Sequence, residues 1–365
     1  MSVFSFSVCD RSQCNMNGVA GRHCIHALKA RAARKVPCSL SYRKLRKTYC
    51  HRVAEDIKHE LQSYYIKGSK ADMLLNPASK RLEEELGIGA TQGIMPDFSD
   101  ETALYGYSLQ HFGRTRLLFD LITQTQPDWL ETRVRELFYT RSNSRGMISH
   151  SPCIDLISLG GGPGYDYVTA AILSEFSSGP DINTQIFDYE PNWESIVHTV
   201  ENATQTILGH DRHTCKFGRC DITQQLSVGA NVGVSLDGHI YTCSYCIHEN
   251  AVALRHGNWS FFRDLFEEAN DGSLFFFTDT THRLWPELAD VAKDSRLRYS
   301  TPRICSGKAG WQFVAFKDVS RPGDTYYSTA ISRELLKRFK SDNAAHLSKL
   351  KNKKPAGKVR GEDSE

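Results

Sequence analysis

The chain has 365 residues, of which 40% are hydrophobic and 24% are charged. This composition is ordinary for a globular protein and excludes a chain that is disordered throughout, and the length suffices for one large α/β domain with additions or for two modest domains. No apolar run approaches the ~20 residues that a membrane-spanning helix requires, so we expect a soluble protein without a membrane partner.

The formal net charge of +3 conceals an uneven distribution of charge along the chain. Residues 1–54 contain eleven Lys and Arg against one acid, Asp10, and six more basic residues lie between Lys349 and Arg360. The body between the two ends is acidic overall. Basic ends are typical of a nucleic-acid-binding arm, of an organellar transit peptide or of a solvated tail, and the spacing does not separate the three.

The cysteines indicate the compartment. There are eleven, an odd number without the spacing of a disulfide framework, which favours reduced thiols inside a cell. We therefore expect a cytoplasmic or nuclear protein, with organellar import as the alternative if the N-terminus is a transit peptide. The sequence makes no prediction of the oligomeric state.

The first 150 residues divide into a basic segment and a helical region. Residues 1–48 are predicted to be disordered or a targeting segment, and residues 49–149 are predicted to be helical. Apolar spacing predicts helices over Tyr49–Leu86, interrupted near Gly68 and at Asn76-Pro77, and a loop with Gly87, Gly89, Gly93 and Pro96 follows. Two further helices are predicted over Tyr105–Thr123 and Trp129–Arg141.

From residue 150 to 320, apolar runs of strand length alternate with helical stretches, which is typical of parallel βαβ units. The predicted strands are Asp155–Leu159, Gln185–Tyr189, Thr214–Phe217, His239–Ser244, Ser273–Thr278, Leu297–Arg303 and Trp311–Lys317. The predicted helices are Tyr167–Phe176, Glu194–Leu208, Trp259–Ala269 and Trp285–Lys293. We expect an α/β fold with a mostly parallel seven-stranded sheet and an antiparallel last strand, because the last two strands leave no room for a helix between them. A C-terminal helix over 321–347 and a disordered Lys-rich tail over 348–365 are predicted to follow.

The stretch DLISLGGGPGYDYVTAAIL, which begins at Asp155, combines a buried strand, a glycine-rich turn and a helix. Glycine lets the backbone turn sharply and approach a ligand, and free amides at the start of a helix are hydrogen-bond donors. We expect Gly160, Gly161, Gly162 and Gly164 to contact a polar ligand beyond the carboxyl end of the first strand. For such a turn taken alone, a packing role without a ligand is the alternative.

Acidic residues follow the second and third strands. In IFDYEP, Asp188 and Glu190 stand two residues apart, so one is predicted to accept hydrogen bonds from a ribose diol and the other to cap the next helix, and the spacing does not say which. In CDI, Asp221 is predicted to accept an adenine amine with Ile222 against the base. Helix capping alone is the alternative for all three acids. Two residues at neighbouring strand ends, Tyr189 and Ser244, complete the predicted set.

The stretches LGGGPG, DYEP and CDI occur in the order and at about the intervals of the class I S-adenosylmethionine (SAM)-dependent methyltransferases, which the region 150–320 resembles. The resemblance implies a Rossmann-like fold with SAM as cofactor. Many family members carry an acid two residues before the first glycine of the loop, where this chain has Ser158, and Asp166 is expected to replace that acid in part. The loop differs from the G-x-G-x-x-G spacing of NAD-binding Rossmann proteins.

By analogy with that family, the methyl acceptor enters over the end of the fourth strand, in IYTCSYCIHEN. The candidates for orienting the acceptor or taking its proton are Tyr245, His248, Glu249 and Asn250. His248 has an ordinary pKa suited to a base, with a structural role as the alternative, whereas Glu249 needs a raised pKa. Transfer is an in-line displacement at a sulfonium methyl, where positioning and desolvation do much of the work.

Two other patterns are disfavoured. Cys243 and Cys246 form a CxxC motif, but positions three apart on a strand face opposite sides and no second CxxC exists, so no metal site is predicted. The string YTCS…EN also resembles a motif of RNA cytosine-5 methyltransferases. There it follows the fifth strand and a Pro-Cys pair, and the residues between Asp221 and His239 leave no place for that pair.

The sequence therefore predicts an enzyme, a SAM-dependent methyltransferase of unknown acceptor. The basic ends slightly favour RNA as the acceptor, whereas the acidic body argues against it and makes a small molecule a close alternative. An alternative of a different functional class is a catalytically inactive methyltransferase-like binding or scaffold protein, which Ser158 at the acid position favours. A dehydrogenase is third.

Overall fold

A computed structural model describes residues 40–66, 71–92, 96–116, 118, 134, 137, 153–279, 284–295, 297–300 and 311–317. The predictions for most of the basic N-terminal segment, for most of the helix over Trp129–Arg141, and for the helix and tail after residue 320 lie outside these residues. Within the described ranges, no helix is both long and apolar enough to cross a membrane.

Three helices precede the sheet: α1 (Leu40–Ile66), α2 (Ala71–Gln92) and α3 (Glu101–Gln110). Helix α1 begins at Leu40, so residues 40–48, which the sequence assigned to the basic segment, are helical. It buries an apolar stripe at four-residue spacing, and this stripe packs the helix against the rest of the protein. The stripe consists of Tyr49, Val53, Ile57 and Leu61.

The predicted break at Asn76-Pro77 and the predicted loop from Gly87 onward were wrong. Pro77 lies inside α2, and the helix continues through Gly87 to Gln92 instead of ending in a glycine-rich loop. Tertiary packing outweighs these breakers, because Ala78, Leu82 and Leu86 are buried at four-residue intervals. The helix predicted to run from Tyr105 to Thr123 is interrupted: α3 ends at Gln110, residues 111–113 form a turn, and residues 114–116 and 118 are helical again.

A seven-stranded sheet forms the centre of the protein, in the order β3-β2-β1-β4-β5-β7-β6. Strands β1 to β5 pair in parallel, which confirms the predicted α/β architecture, and β7 runs antiparallel to both β5 and β6. The strands are β1 (Cys153–Leu159), β2 (Asp181–Asp188), β3 (Thr214–Arg219), β4 (Ile240–Ser244), β5 (Leu274–Asp279), β6 (Arg298–Ser300) and β7 (Trp311–Phe316).

Helices cover both faces of the sheet. They are α4 (Tyr165–Ser177), α5 (Trp193–Leu208), α6 (Ala251–His256), α7 (Ser260–Glu268) and α8 (Trp285–Asp294), with a 3₁₀ turn at Gly229–Gly233. Strand β1 divides its side chains between the two cores: Ile154 and Leu156 join the core that contains α1 and α4, and Ile157 and Leu159 join the core that contains α7 and α8. Because β1 to β4 run parallel to one another, their carboxyl ends lie at one edge of the sheet, where a ligand site is expected.

Candidate active site

A cavity of about 270 Å³ opens at the carboxyl ends of β1, β2, β3 and β4. The glycine loop forms part of its wall, and the segments that follow β2, β3 and β4 form another part. The helical N-terminal region supplies the remaining wall, with Leu86, Pro96, Phe98, Tyr107 and Arg114. The strand ends therefore meet where the sequence predicts a site, and the N-terminal helices close it on a further side.

The glycine loop needs glycine for its backbone and for its close contacts. Gly160, Gly162 and Gly164 have φ values of +58°, +45° and +84°, which other residues adopt only with strain. A Cβ on Gly160 would lie 2.3 Å from the sulfur of Cys246, whereas a Cβ on Gly162 would meet nothing nearer than the Trp193 ring at 3.7 Å. At Gly162 a Cβ would therefore make only ordinary van der Waals contacts, and the positive φ alone favours glycine there.

The amides of this loop are mostly occupied within the protein. Gly161 donates to the Phe187 carbonyl at 3.1 Å, and Gly164 donates to the Gly161 carbonyl at 3.0 Å. Gly162 donates to Asp188 Oδ2 at 2.9 Å. The N–H groups of Gly161 and Gly162 fix the loop on β2, and that of Gly164 closes the loop on itself. None of the three is a free donor of the kind that the sequence predicts, so a ligand meets the loop's backbone surface and the acid beside it.

Ser158 and Asp166 form one hydrogen-bonded group beneath the loop. The Ser158 hydroxyl donates to Asp166 Oδ2 at 2.7 Å, and the hydroxyls of Thr242 and Ser244 donate to the same carboxylate at 2.5 Å and 3.0 Å. Burial raises the pKa of Asp166, and the three hydroxyl bonds oppose that rise. A carboxylate thus stands beside Ser158, supplied from the start of α4.

The structure separates the two acids after β2. Asp188 ends the strand and lines the cavity, and its Oδ1 accepts the Glu190 N–H at 3.1 Å. Burial raises the pKa of Asp188 to about 6. Glu190 is not among the residues that line the cavity, and its carboxylate accepts the Asn192 N–H at 3.0 Å, at the start of α5. The strand ends before Glu190, so the two side chains do not share the direction that strand alternation predicts.

Asp221 and Ile222 line the cavity after β3. Asp221 Oδ1 accepts both the N–H and the hydroxyl of Thr223, at 2.9 Å and 2.6 Å. The Asp221 amide donates to Asn231 Oδ1 at 2.7 Å, which anchors the 3₁₀ turn. Asp221 therefore orders its own loop through Oδ1. Tyr189, which is 47% exposed, also lines the cavity.

Of the four predicted acceptor residues after β4, three line the cavity: Tyr245, Glu249 and Asn250. Tyr245 has a φ of +63°, unusual for a residue with a side chain, and its amide donates to the Thr278 carbonyl at 2.8 Å. Glu249 lines the cavity, and burial raises its pKa to about 8, as its predicted role requires. His248 is not among the lining residues, and its amide donates to Asp279 Oδ2 at 2.7 Å.

The CxxC cysteines are free thiols. Cys243 is fully buried within β4, and Cys246 lies against Gly160 in the cavity wall. One group in the described ranges has the spacing of metal ligands, Glu175, His210 and His213, and it lies away from the cavity. Arg212 already binds that carboxylate. His213 Nδ1 accepts the Ile182 N–H at 3.1 Å, so its Nε2 carries the proton and offers no lone pair to a metal.

The sequence did not predict the aromatic and cationic wall of the cavity. Tyr107 on α3 lies 5.9 Å from the Trp193 ring, and Phe98 lies 6.2 Å from the same ring, centroid to centroid. Arg114 donates to the Tyr107 hydroxyl at 2.7 Å and lies 4.2 Å above the Tyr245 ring. These residues come from segments distant in sequence, and the helix predicted over Tyr105–Thr123 gave no sign of the turn that precedes Arg114.

No family model and no curated protein matches the chain. Among solved structures, it is similar to a putative class I SAM-dependent methyltransferase from Listeria monocytogenes, with 12% identity, 83% of this chain and 99% of that chain covered, and a TM-score of 0.37. It is also similar to a TehB-like SAM-dependent methyltransferase from Corynebacterium glutamicum (11% identity, 46% and 83% covered, TM-score 0.31). A precorrin-6y C5,15-methyltransferase from Geobacter metallireducens gives 8% identity, 46% and 82% covered and a TM-score of 0.31. The chain is thus similar in fold to SAM-dependent methyltransferases.

Proposed function

We propose that the chain is a SAM-dependent methyltransferase. The observation that carries the proposal is Asp188, a carboxylate that ends β2, binds the glycine loop and faces a cavity bounded by Asp221 on one side and Glu249 on the other. Because the strands lie in the order β3-β2-β1-β4, these three acids follow one another along one edge of the sheet. An elongated nucleoside ligand fits this order better than a compact one.

The residues present fit SAM. Each oxygen of Asp188 accepts one backbone N–H and retains a second lone pair for a ribose hydroxyl. Asp221 uses Oδ1 for its own loop, so Oδ2 is the oxygen assigned to the adenine amine, with Ile222 and Tyr189 against the base. Ser244 is assigned an indirect role, because its hydroxyl donates to Asp166 and holds that carboxylate beneath the loop. Gly162 lines the cavity, and its N–H holds the Asp188 carboxylate against the loop.

Glu249 is the group we assign to the acceptor's proton. Bound SAM supplies an electrophilic methyl group, and the protein must orient the acceptor and receive its proton. A carboxyl with a pKa of about 8 is a stronger base than an ordinary Glu. Tyr245, beside it in the cavity wall, is assigned to orienting the acceptor. His248 receives no role in proton transfer, because it does not line the cavity.

The cavity wall favours a small-molecule acceptor. Five residues from the helical N-terminal region line the same cavity as Glu249, so an acceptor has to fit between walls from both parts of the chain. An RNA acceptor is supported by the basic ends alone, and most of those residues lie outside the described ranges. The inactive-scaffold alternative loses its main support, because Asp166 supplies a carboxylate where Ser158 had suggested a missing one.

Asp188→Asn, matched with Glu190→Gln, tests this proposal. We expect Asp188→Asn to weaken S-adenosylhomocysteine (SAH) binding by about 10- to 100-fold, as a hydrogen bond to a charged acceptor is worth roughly 1.5–3 kcal/mol. Glu190→Gln removes an acid two residues away that does not line the cavity, so its effect should stay within about twofold. Calorimetric titration of the folded variants measures both. Equal effects, or none in Asp188→Asn, would contradict the assignment.

A further inference from the structure

Arg114 brings a positive charge into the candidate site, and most of its hydrogen-bonding capacity is unused by the residues that the structure describes. A guanidinium carries five N–H donors, and within those residues Arg114 makes one hydrogen bond, to the Tyr107 hydroxyl at 2.7 Å. It is the cationic side chain among the residues that line the cavity. A partly buried guanidinium with unused donors is suited to an anion, above all to a planar carboxylate.

The guanidinium is held in place by its surroundings. Its Cζ lies 4.2 Å from the centroid of the Tyr245 ring and 5.4 Å from that of the Tyr107 ring. The backbone on both sides is tied to α4, because the Tyr165 hydroxyl donates to the Ser108 carbonyl at 2.8 Å and the Thr169 hydroxyl donates to the Thr115 carbonyl at 2.9 Å. A fixed guanidinium loses little conformational entropy when it binds a ligand.

Glu249 does not neutralise Arg114. Both residues line the cavity, yet no ion pair within 4.0 Å joins them in the described ranges. Burial by itself lowers the pKa of Arg114, but the neighbouring Tyr107, Tyr165 and Glu249 raise it by more than burial lowers it. The net pKa lies above the usual value, so the side chain remains a cation. The charge is therefore present and available to a ligand.

The sheet order places Arg114 at a defined end of the ligand. Adenine is assigned to Asp221 after β3 and ribose to Asp188 after β2, so the rest of the ligand extends over β1 toward β4. Tyr245, on which Arg114 lies, directly follows β4. We propose that Arg114 binds the carboxylate of the methionine portion of SAM, an inference that rests on the proposed function and adds a cofactor contact from outside the predicted methyltransferase domain.

The test compares two ligands that differ in the amino-acid portion. SAH carries the carboxylate, and 5′-methylthioadenosine retains the adenine, the ribose and the sulfur but lacks the amino acid. We expect Arg114→Met, which keeps much of the side-chain volume, to raise the Kd for SAH by at least about tenfold and to leave the Kd for methylthioadenosine within about twofold. Arg116→Met is the matched control, since Arg116 pairs with Glu55 and does not line the cavity.

The outcomes separate this inference from the proposed function. If wild-type protein binds neither ligand, the proposed function fails. If wild type binds both and Arg114→Met weakens both equally or neither, Arg114 does not hold the carboxylate and the inference is overturned. Should Arg114→Met not fold, Arg114→Lys replaces it, because Lys keeps the charge without the planar fork and must still weaken SAH selectively. S-adenosyl-3-thiopropylamine, which lacks only the carboxylate, must bind wild type and the Arg114 variant alike.

Discussion

Replacement of Glu249 by Gln is expected to stabilise the protein at alkaline pH. The fold raises the pKa of this carboxyl from 4.5 to about 8, mainly by burial, and Arg114 offsets only part of that rise. Between these two values the unfolded chain has lost a proton that the folded chain still holds. The stability of the wild type therefore falls as pH rises from 4.5 and levels off above 8.

The magnitude follows from the size of that change. Each pKa unit corresponds to about 1.4 kcal/mol, so the full span would cost about 5 kcal/mol at pH 9. Solvent reaches a carboxyl in an open cavity, and the variant also removes a favourable neighbour of Arg114. We therefore expect Glu249→Gln to raise the free energy of unfolding, relative to wild type, by roughly 1–3 kcal/mol more at pH 9 than at pH 5.

Urea unfolding at pH 5 and pH 9 measures this difference. Glu84→Gln is the control, because Glu84 is exposed on α2 and the substitution removes the same charge without a buried carboxyl. The control should show little dependence on pH. If the difference in stability between Glu249→Gln and wild type is the same at both pH values, the folded protein does not raise the pKa of Glu249.

Three further predictions test other parts of the site. Gly160→Ala should lower stability by at least roughly 1 kcal/mol more than Gly162→Ala in chemical denaturation, because both have positive φ but only at Gly160 would a Cβ lie 2.3 Å from a cysteine sulfur. Ser158→Asp should lower the free energy of unfolding by roughly 3 kcal/mol, because it places a second buried carboxyl beside Asp166. Asp166→Ser in the same chain should recover most of the loss, and no recovery would show that the two positions are not interchangeable. The Kd for SAH should rise about tenfold from pH 7.5 to pH 5, since Asp188 has a pKa of about 6 and its protonation removes an acceptor; a Kd that is independent of pH would exclude Asp188 as the ribose ligand.

Strands with continuous apolar runs were predictable from sequence, and half-buried strands were less so. Strand β5, LFFFTD, is buried at every position, and its predicted bounds differ by one residue at each end. Strand β2 begins at Asp181, four residues before the predicted start, because Asp181 and Asn183 are only partly buried. Polar residues on the open positions of such a strand hide its beginning.

The helical N-terminal region departed most from the sequence pattern. Pro77 and Gly87 carry local signals for a break, and the structure incorporates both into α2 because Leu82 and Leu86 are buried in the core. Propensity costs of about 1–3 kcal/mol for Gly or Pro are small beside the burial of several apolar side chains. The position of the core against this helix is a long-range property that local spacing does not contain.

The same distinction applies to the candidate site. Asp188 and Asp221 were predictable because parallel strands bring their carboxyl ends to one edge. The separate environments of Asp188 and Glu190 were not, since they depend on the residue at which β2 ends. Arg114 was not predicted at all, because it precedes the glycine loop by more than forty residues and reaches the cavity only through packing of α3 on the sheet domain.

Calorimetric titration of the full chain with SAH and, separately, with NAD distinguishes a methyltransferase from a dinucleotide-binding protein. We expect one SAH site with a micromolar Kd and a gain in stability of about 2.7 kcal/mol at a hundredfold excess over Kd, with no binding of NAD. Binding of NAD without binding of SAH would instead make the chain a dinucleotide-binding protein.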